Sequence, residues 1–501
     1  MALAVTFCRC IHGSDAVLVQ VETHISSGLP ACMVVGLPET SVRESRDRVR
    51  SAIINAGFEF PQRRITINLA PGDIPKFGTR FDLAIAVSIL AASNQVPVAR
   101  LSDHEFVAEL ALDGSLRPTN ASVAVAAATV CSGRALVTSK TDAERAALVP
   151  DARVLSAPGL ADVVAHLSGT AVLTLTDKKA DARVPAVPDL NDVLGQQQAV
   201  RALEVAASGA HNLLMIGPPG TGKSMLAARL PGLLPPLSPE QALECATLHS
   251  VADVERSSEN WFGIPFRSPH HSASPASITG GGRYPRPGEM SLAHHGVLFF
   301  DELAEFDRRA LESLREPLEL KVVSIARAGG RFVFPADFQF VAAMNPCPCG
   351  YLDDPEIECQ CSPQAIQRYR NKLSGPLTER IDLQVQIPRQ TEVMLQPELA
   401  GERSQVVATR VRGVRELQLS RQGMTNSALD GQALHYHCVL DSDARGILQQ
   451  AIKRLSLSAR GHHKILRIAR TLADMEAVDR INARHLLEAI GYRRSDRGSP
   501  V

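Results

Sequence analysis

The sequence predicts an α/β protein in three parts: an N-terminal α/β domain, a phosphate-loop core built on a parallel sheet, and a C-terminal group of helices. Three observations predict it. Residues 1–175 alternate short apolar runs with helical stretches, residues 212–230 read as strand, glycine-rich loop and helix, and residues 441–491 hold three or more amphipathic helical periods. With 45% hydrophobic and 21% charged residues in a chain of 501, a sizeable core is affordable and disorder is not the default. Lys plus Arg and Asp plus Glu both number 53, so net charge offers no general attraction to a polyanion and any nucleic-acid contact must come from local patches. The start MALAVTFCRCIHG lacks an apolar leader core, and nowhere do about 18 apolar residues run together, which predicts a cytoplasmic protein with no membrane partner. Its ten cysteines are then expected as thiols or metal ligands, not disulfides.

In chain order, AVLVQVET, ACMVVGL, ITINLA, FVAEL and RALVTS read as strands, and SVRESRDRVRSAIINAG and DLAIAVSILAASN as helices. The run at 176–193 is charged, proline-bearing and poor in large apolar residues, as an exposed linker is. Residues 194–210 are helical in period and lead into the stretch that organises the rest.

That stretch is GPPGTGKS, comprising Gly217, Pro218, Pro219, Gly220, Thr221, Gly222, Lys223 and Ser224. It matches G-x-x-x-x-G-K-[ST] in full, after the apolar NLLMIG and before the helix start MLAARL. Glycines let the backbone curl so that successive N–H groups and the helix N-terminus face phosphate oxygens. Lys223 would reach the β/γ-phosphates and Ser224 would ligate Mg²⁺. The bland alternative, a chance Gly/Pro-rich turn, does not explain the strand and helix on either side.

From 237 to 295 the apolar periodicity weakens. Paired histidines there (His270 with His271, His294 with His295) invite a metal reading, but adjacent residues do not share a helix face, so metal binding is disfavoured. VLFFDE at 297–302 reads as a buried strand ending in two acids: Asp301 to hold the Mg²⁺ shell and Glu302 to orient or deprotonate water. Residues 320–338 read as a β-hairpin turning at Ala328-Gly329-Gly330, with Lys321, Arg327 and Arg331 as its cations; these either face solvent or touch DNA phosphates. FQFVAAMNP is another buried strand, ending at Asn345, which could bond the attacking water or the γ-phosphate.

Cys347, Cys349, Cys359 and Cys361 follow as C-x-C-x9-C-x-C, four thiolates suited to a tetrahedral zinc site, against four reduced cysteines in a loop. Arg380 precedes the strand-like IDLQV and is placed to serve a neighbouring subunit's γ-phosphate. Residues 402–422 read as a basic helix, Arg460 begins an amphipathic helix, and the tail SDRGSPV reads as disordered.

Taken together, GPPGTGKS, FRSPHHSAS, PGEMSLAHHGVLFFDEL, VAAMNPCPCG, LSGPLTERIDL and SARGHHKILRIARTLAD resemble the ComM/YifB family of magnesium-chelatase-like, MCM-related AAA+ ATPases, over nearly the whole chain. The resemblance implies four segments. Residues 1–175 form a Lon-protease-like (ribosomal-protein-S5-domain-2-like) domain and 176–193 a linker. Residues 194–395 form an AAA+ αβα core with an insertion at 260–295, a pre-sensor hairpin at 320–338 and the cysteine cluster at 347–361. Residues 396–501 form a helical lid. It assigns Lys223 and Ser224 to phosphate and Mg²⁺, Asp301 and Glu302 to the Walker B role, Asn345 to sensor 1, Arg380 to an arginine finger and Arg460 to sensor 2. Arg327 falls near the DNA-facing tip of the hairpin. In GPLTERIDL the family more often has leucine and aspartate before the arginine, which touches only local packing. The first domain resembles a protease without its chemistry: Arg80 stands where the nucleophilic serine would be, and GSLRPTNASVA has no lysine, so a structural or docking domain is expected. The function implied is a hexameric ATP-hydrolysing DNA motor, a helicase or branch-migration enzyme of natural transformation, with ATP and Mg²⁺ as cofactors; zinc is expected from the cysteine spacing alone. The alternatives are a metal-chelatase-type ATPase and a protein-remodelling AAA+ module.

Overall fold

A computed structural model describes residues 2–177, 187–327, 330–389, 401–455 and 458–493. By contact density the chain divides into two compact units, residues 1–184 with 239–262, and residues 185–238 with 263–501.

The first unit starts as an antiparallel ribbon, Ala2–His12 against Asp15–Ser26, in register from Ala2↔Ile25 to His12↔Asp15. Gly13, at φ 67°, supplies the left-handed backbone that so tight a turn needs. The ribbon's second strand pairs with Arg64–Ala70, which runs parallel to Ala31–Val35, making a four-stranded mixed sheet. Asp82–Ala92 packs on this sheet with every residue buried, as the run LAIAVSILAA, apolar but for Ser88, requires. The one acid that starts this helix is paired: Asp82 accepts from Ser45 and forms an ion pair with Arg48 at 2.9 Å. A second buried pair, Arg9 with Glu105, is bidentate at 2.7 Å for both bonds, the geometry that makes a buried charge tolerable. Arg80 lies just before the Asp82 helix and is buried, with its carbonyl facing the Cys8 thiol.

One segment departs from the sequence reading. Residues 237–295, expected to be weakly structured and part of the core, begin with a regular helix, Pro239–Val251, and residues 239–262 belong to the first unit. The helix packs on Ser122–Cys131. Ser250 Oγ accepts the Val123 N–H at 3.2 Å, and Asn120 reaches Asp253 at 3.0 Å. Its buried residues are Ala242, Cys245, Ala246, Leu248, His249 and Val251, small and polar ones mixed with two large aliphatics, and this mixture blurred the hydrophobic period.

The second unit is built on a five-stranded sheet with every pairing parallel, in the order Phe266–Arg267, Val297–Phe300, Gln339–Met344, Leu213–Ile216, Leu383–Gln386. The three central strands are buried nearly throughout, which is why they read as continuous apolar runs and not as alternating ones. Helix Gln197–Gly209 and the C-terminal helices Ser404–Gln422, Ala459–Met475 and Ala483–Gly491 share one apolar core with the sheet, including Leu203, Val411, Ile465, Leu472 and Ile490. Each such aliphatic contributes about 1.5–3 kcal/mol on burial. A polar bolt adds direction to this packing: Asp382, at the start of the last strand, accepts the Asn212 N–H at 3.0 Å and meets Lys464 of Ala459–Met475 at 3.2 Å. No helix among the described residues is long and apolar enough to cross a membrane. The linker's central part and the chain tail SDRGSPV fall outside the described residues.

Candidate functional site

The parallel sheet brings three strand ends together. Gly217 follows Leu213–Ile216, Asp301 follows Val297–Phe300 and Asn345 follows Gln339–Met344, so all three open at the same edge. Gly217 donates its N–H to Met344 O at 3.2 Å, and a Cβ on it would lie 2.3 Å from the Ile387 carbonyl, so only glycine fits. Gly220 and Gly222 take φ of 77° and 85°, which L side chains rarely adopt, and the helix Lys223–Ala227 starts from that curl.

Lys223 is 8% exposed, and its Nζ donates to Gly217 O and Pro218 O, both at 2.7 Å, and to Asn345 Oδ1 at 3.3 Å. Burial lowers its ammonium to about 8, with Asp301 and Glu302 opposing the shift. A desolvated cation surrounded mainly by neutral acceptors has unspent charge, and a polyphosphate is the partner it fits. Ser224 Oγ donates to Asp301 Oδ2 at 2.5 Å, which sets a hydroxyl and a carboxylate side by side as a hard divalent cation requires. The residues therefore fit both ATP and Mg²⁺.

Glu302 has φ 51°, a left-handed backbone that costs a non-glycine residue on the order of 1 kcal/mol and is found where function over-determines a turn. Its N–H donates to Asp301 Oδ1 at 2.9 Å. Its carboxylate lies 3.0 Å from His271 Nδ1, a partner the sequence reading missed. The signal was present in FRSPHHSAS, where the two histidines drew attention only as possible metal ligands. His271 comes four residues after the edge strand Phe266–Arg267, and parallel pairing of that strand with Val297–Phe300 is what brings it to Glu302.

The two predicted arginines stand elsewhere. Parallel register pairs Leu213 with Leu383 and Ile216 with Gln386, so Arg380 precedes the strand starts whereas Gly217 follows the strand ends. At about 3.3 Å per residue the two edges are separated by more than about 10 Å. Arg380 donates to Arg315 O at 3.0 Å and Pro376 O at 2.6 Å, and pairs with Glu319 at 2.6 Å. Arg460, also near Glu319 at 3.4 Å and near Glu379 at 3.7 Å, is 60% exposed. Glu319 thus gathers both arginines on one edge, and no sequence motif announced it.

The hairpin occupies Val322–Arg327 and Gly330–Pro335, with Val323, Ile325 and Phe334 buried on one face and Arg327 and Arg331 exposed. Residues Ala328 and Gly329 of the expected turn lie outside the described residues. Lys321 sits at the base, paired with Asp337 at 3.0 Å, and Arg331 donates to Ser324 at 3.0 Å. A Cβ on Gly281 would meet the Arg327 guanidinium at 3.2 Å, so the ribbon Gly280–Gly281 with Arg286–Pro287 lies beside the hairpin. The segment GGGRYPRPG that forms this ribbon has no apolar alternation to announce it.

Comparison with known proteins bears on this arrangement. Residues 189–395 match the family described as magnesium chelatase, subunit ChlI, residues 21–142 match subunit ChlI of Mg-chelatase, and residues 401–493 match the ChlI C-terminal region. Protein YifB of Salmonella typhimurium is 45% identical over 99% of this chain and 98% of its own. Competence protein ComM of Haemophilus influenzae is 46% identical over 98% of both chains. The chain belongs to the ComM/YifB family of magnesium-chelatase-like proteins. The all-parallel sheet is consistent with the AAA+-like core of that family. A magnesium-chelatase 67 kDa subunit of Chlorobaculum parvum is more distant, 26% identical over 31% of this chain and 23% of its own.

Proposed function

We propose that this ComM/YifB-family protein is an ATP hydrolase that works as a homo-hexameric ring and moves DNA, as a helicase or branch-migration motor acting on DNA taken up in natural transformation. One observation carries the ATPase reading: at one sheet edge, where three separate strands end, Lys223 donates to Asn345 and its neighbour Ser224 donates to Asp301. Lys223 binds the β/γ-phosphates, Glu302 accepts a proton from the attacking water and Asn345 orients it. Bound Mg²⁺ would be held by Ser224 and Asp301 and would offset charge on the phosphate oxygens. Arg380, with Arg460 beside it, stands at the opposite sheet edge from its own chain's phosphate loop, which supports its serving the ATP of a neighbouring subunit. The helices within 396–501 act in this reading as the lid, and residues 1–175 as a Lon-like docking domain without proteolytic chemistry. The setting is the cytoplasm.

The DNA reading is supported by the exposed Arg327 and Arg331 on the hairpin and by the competence name of the Haemophilus influenzae relative over 98% of its length. A chelatase-type role has less support, since the Chlorobaculum parvum subunit matches over only 31% of this chain. The experiment is the ATPase rate with single-stranded, duplex and forked DNA, with the mass of the ATP-analogue-bound assembly measured alongside. DNA should stimulate the wild type and fail to stimulate Arg327→Ala. Stimulation unchanged in that variant would argue against a DNA motor driven through this hairpin.

A further inference from the structure

Cys347, Cys349, Cys359 and Cys361 are free thiols whose sulfurs all lie within 4.8 Å of one another. Three of the separations are 3.3 Å (Cys347 to Cys349), 3.7 Å (Cys347 to Cys359) and 3.6 Å (Cys349 to Cys359). A disulfide needs about 2.05 Å, so these sulfurs are not bonded to one another. Zn–S bonds of about 2.3 Å put the corners of a tetrahedron about 3.8 Å apart, close to what is found. Thiols are poor donors and poor acceptors for one another, so four of them gain little by converging unless a thiophilic cation sits among them.

The loop carrying these cysteines is tied twice to the candidate ATP site. Cys347 is buried and lies two residues after Asn345, at the end of the same strand. Gly350, at φ +88°, lies against the phosphate loop so closely that a Cβ would sit 2.7 Å from Pro219 Cδ. On the other side of the cluster, Ser362 Oγ accepts the Ala365 N–H at 3.2 Å and caps helix Pro363–Arg370. That helix carries the buried Tyr369, whose phenolic oxygen accepts the Asn345 backbone N–H. The chain thus leaves Asn345, passes through the four cysteines and returns to Asn345.

We propose that the four cysteines bind one Zn²⁺, and that this ion is a strut that holds Asn345 and the Pro219 face of the phosphate loop in place. The second half rests on the role for Asn345 given above; the first does not. Closing the 347–361 loop through the metal fixes the return path to Asn345 in a way that a loop this polar cannot manage by apolar packing.

The test begins with metal analysis of the wild-type protein, expressed with zinc and purified without chelator. About one zinc per chain is expected, and a Co²⁺-substituted sample should show the intense visible bands of a tetrahedral thiolate site. Less than about 0.2 zinc per chain with the thiols reduced, or a disulfide among these four cysteines, overturns the metal site. Lys223→Ala should keep its zinc while losing nucleotide, which separates failure of the metal proposal from failure of the ATPase reading. For the strut, zinc is removed from wild-type protein with an organic mercurial, the thiols are regenerated with reductant, and ATP hydrolysis is compared before and after Zn²⁺ is restored. Misplacing a water-orienting group should lower the rate on the order of tenfold or more, with recovery on adding zinc. Cys361→Ser, checked for folding by circular dichroism, should show the same loss without recovery. Equal hydrolysis with and without zinc overturns the strut.

Discussion

Two edges of one sheet in the second unit each carry a charged cluster, and the two are built differently. At the strand ends, Lys223 donates to Asn345 and the adjacent Ser224 donates to Asp301, all within the chain. At the strand starts, Arg380 and Arg460 meet at Glu319, with more than about 10 Å of sheet between them and the phosphate loop. The first edge has a buried ammonium with charge to spend. The second has cations held by carboxylates and backbone carbonyls, as in storage. The difference teaches that Arg380 and its own chain's phosphate loop do not meet at one edge; in the ring proposed above, one chain would carry two half-sites and assembly would bring a phosphate loop to an arginine.

The largest effect expected on breaking this arrangement is for Arg380→Ala. An arginine supplied to a transferring phosphoryl group is worth on the order of 10³–10⁵ in rate, so hydrolysis should collapse by at least the lower figure while ATP-analogue binding survives. Equal loss of binding would place Arg380 at its own chain's nucleotide. Next is Glu302→Gln, which should keep ATP binding and the ring but lower turnover on the order of 10²–10⁴-fold, as loss of a general base does; normal turnover would put the base elsewhere.

A stability effect comes third. For Asp382, burial alone would raise the carboxyl, but Lys464, His211 and the Asn212 N–H together outweigh it and hold it well below the usual carboxylate range. A depressed folded-state value means stability that is present above pH ~4 and is lost as pH falls through the folded value. Asp382→Asn removes one partner of this buried pair and should cost about 3–5 kcal/mol in denaturant melts at pH 7, with the gap to wild type narrowing in acid.

The smallest expected effect concerns Lys223. Its ammonium titrates near 8 without nucleotide, and phosphate contact should raise it. The sign follows: below pH 8 the charge is present before binding, whereas above it a proton must be taken up. ATP affinity should therefore weaken by up to about tenfold per pH unit above 8, measured by titration with a fluorescent analogue. A flat profile from pH 7 to 9 would mean that the lysine does not meet phosphate.

Much of this architecture was legible in the chain. Buried parallel strands are continuous apolar runs, so 212–217, 297–300 and 338–344 announced themselves, and Gly217, Gly220 and Gly222 stood out because a curled phosphate loop tolerates little else. The hairpin was visible in its alternation. Tertiary pairings were hidden. Helix Pro239–Val251 joins the first unit through contacts such as Ser250 to Val123, which leave no local pattern. His271 reaches Glu302, and Glu319 reaches Arg380 and Arg460, only because strand order folds distant segments together.

The most direct test of the two-half-site account is to mix subunits. Lys223→Ala lacks one half and Arg380→Ala the other, and each alone should be nearly inactive. Assembled together at equal amounts, roughly a quarter of interfaces would pair an intact phosphate loop with an intact Arg380, so ATP hydrolysis should return in the mixture. If the mixed assembly stays as inactive as its parts, Arg380 acts within its own chain or not at all, and the account is wrong.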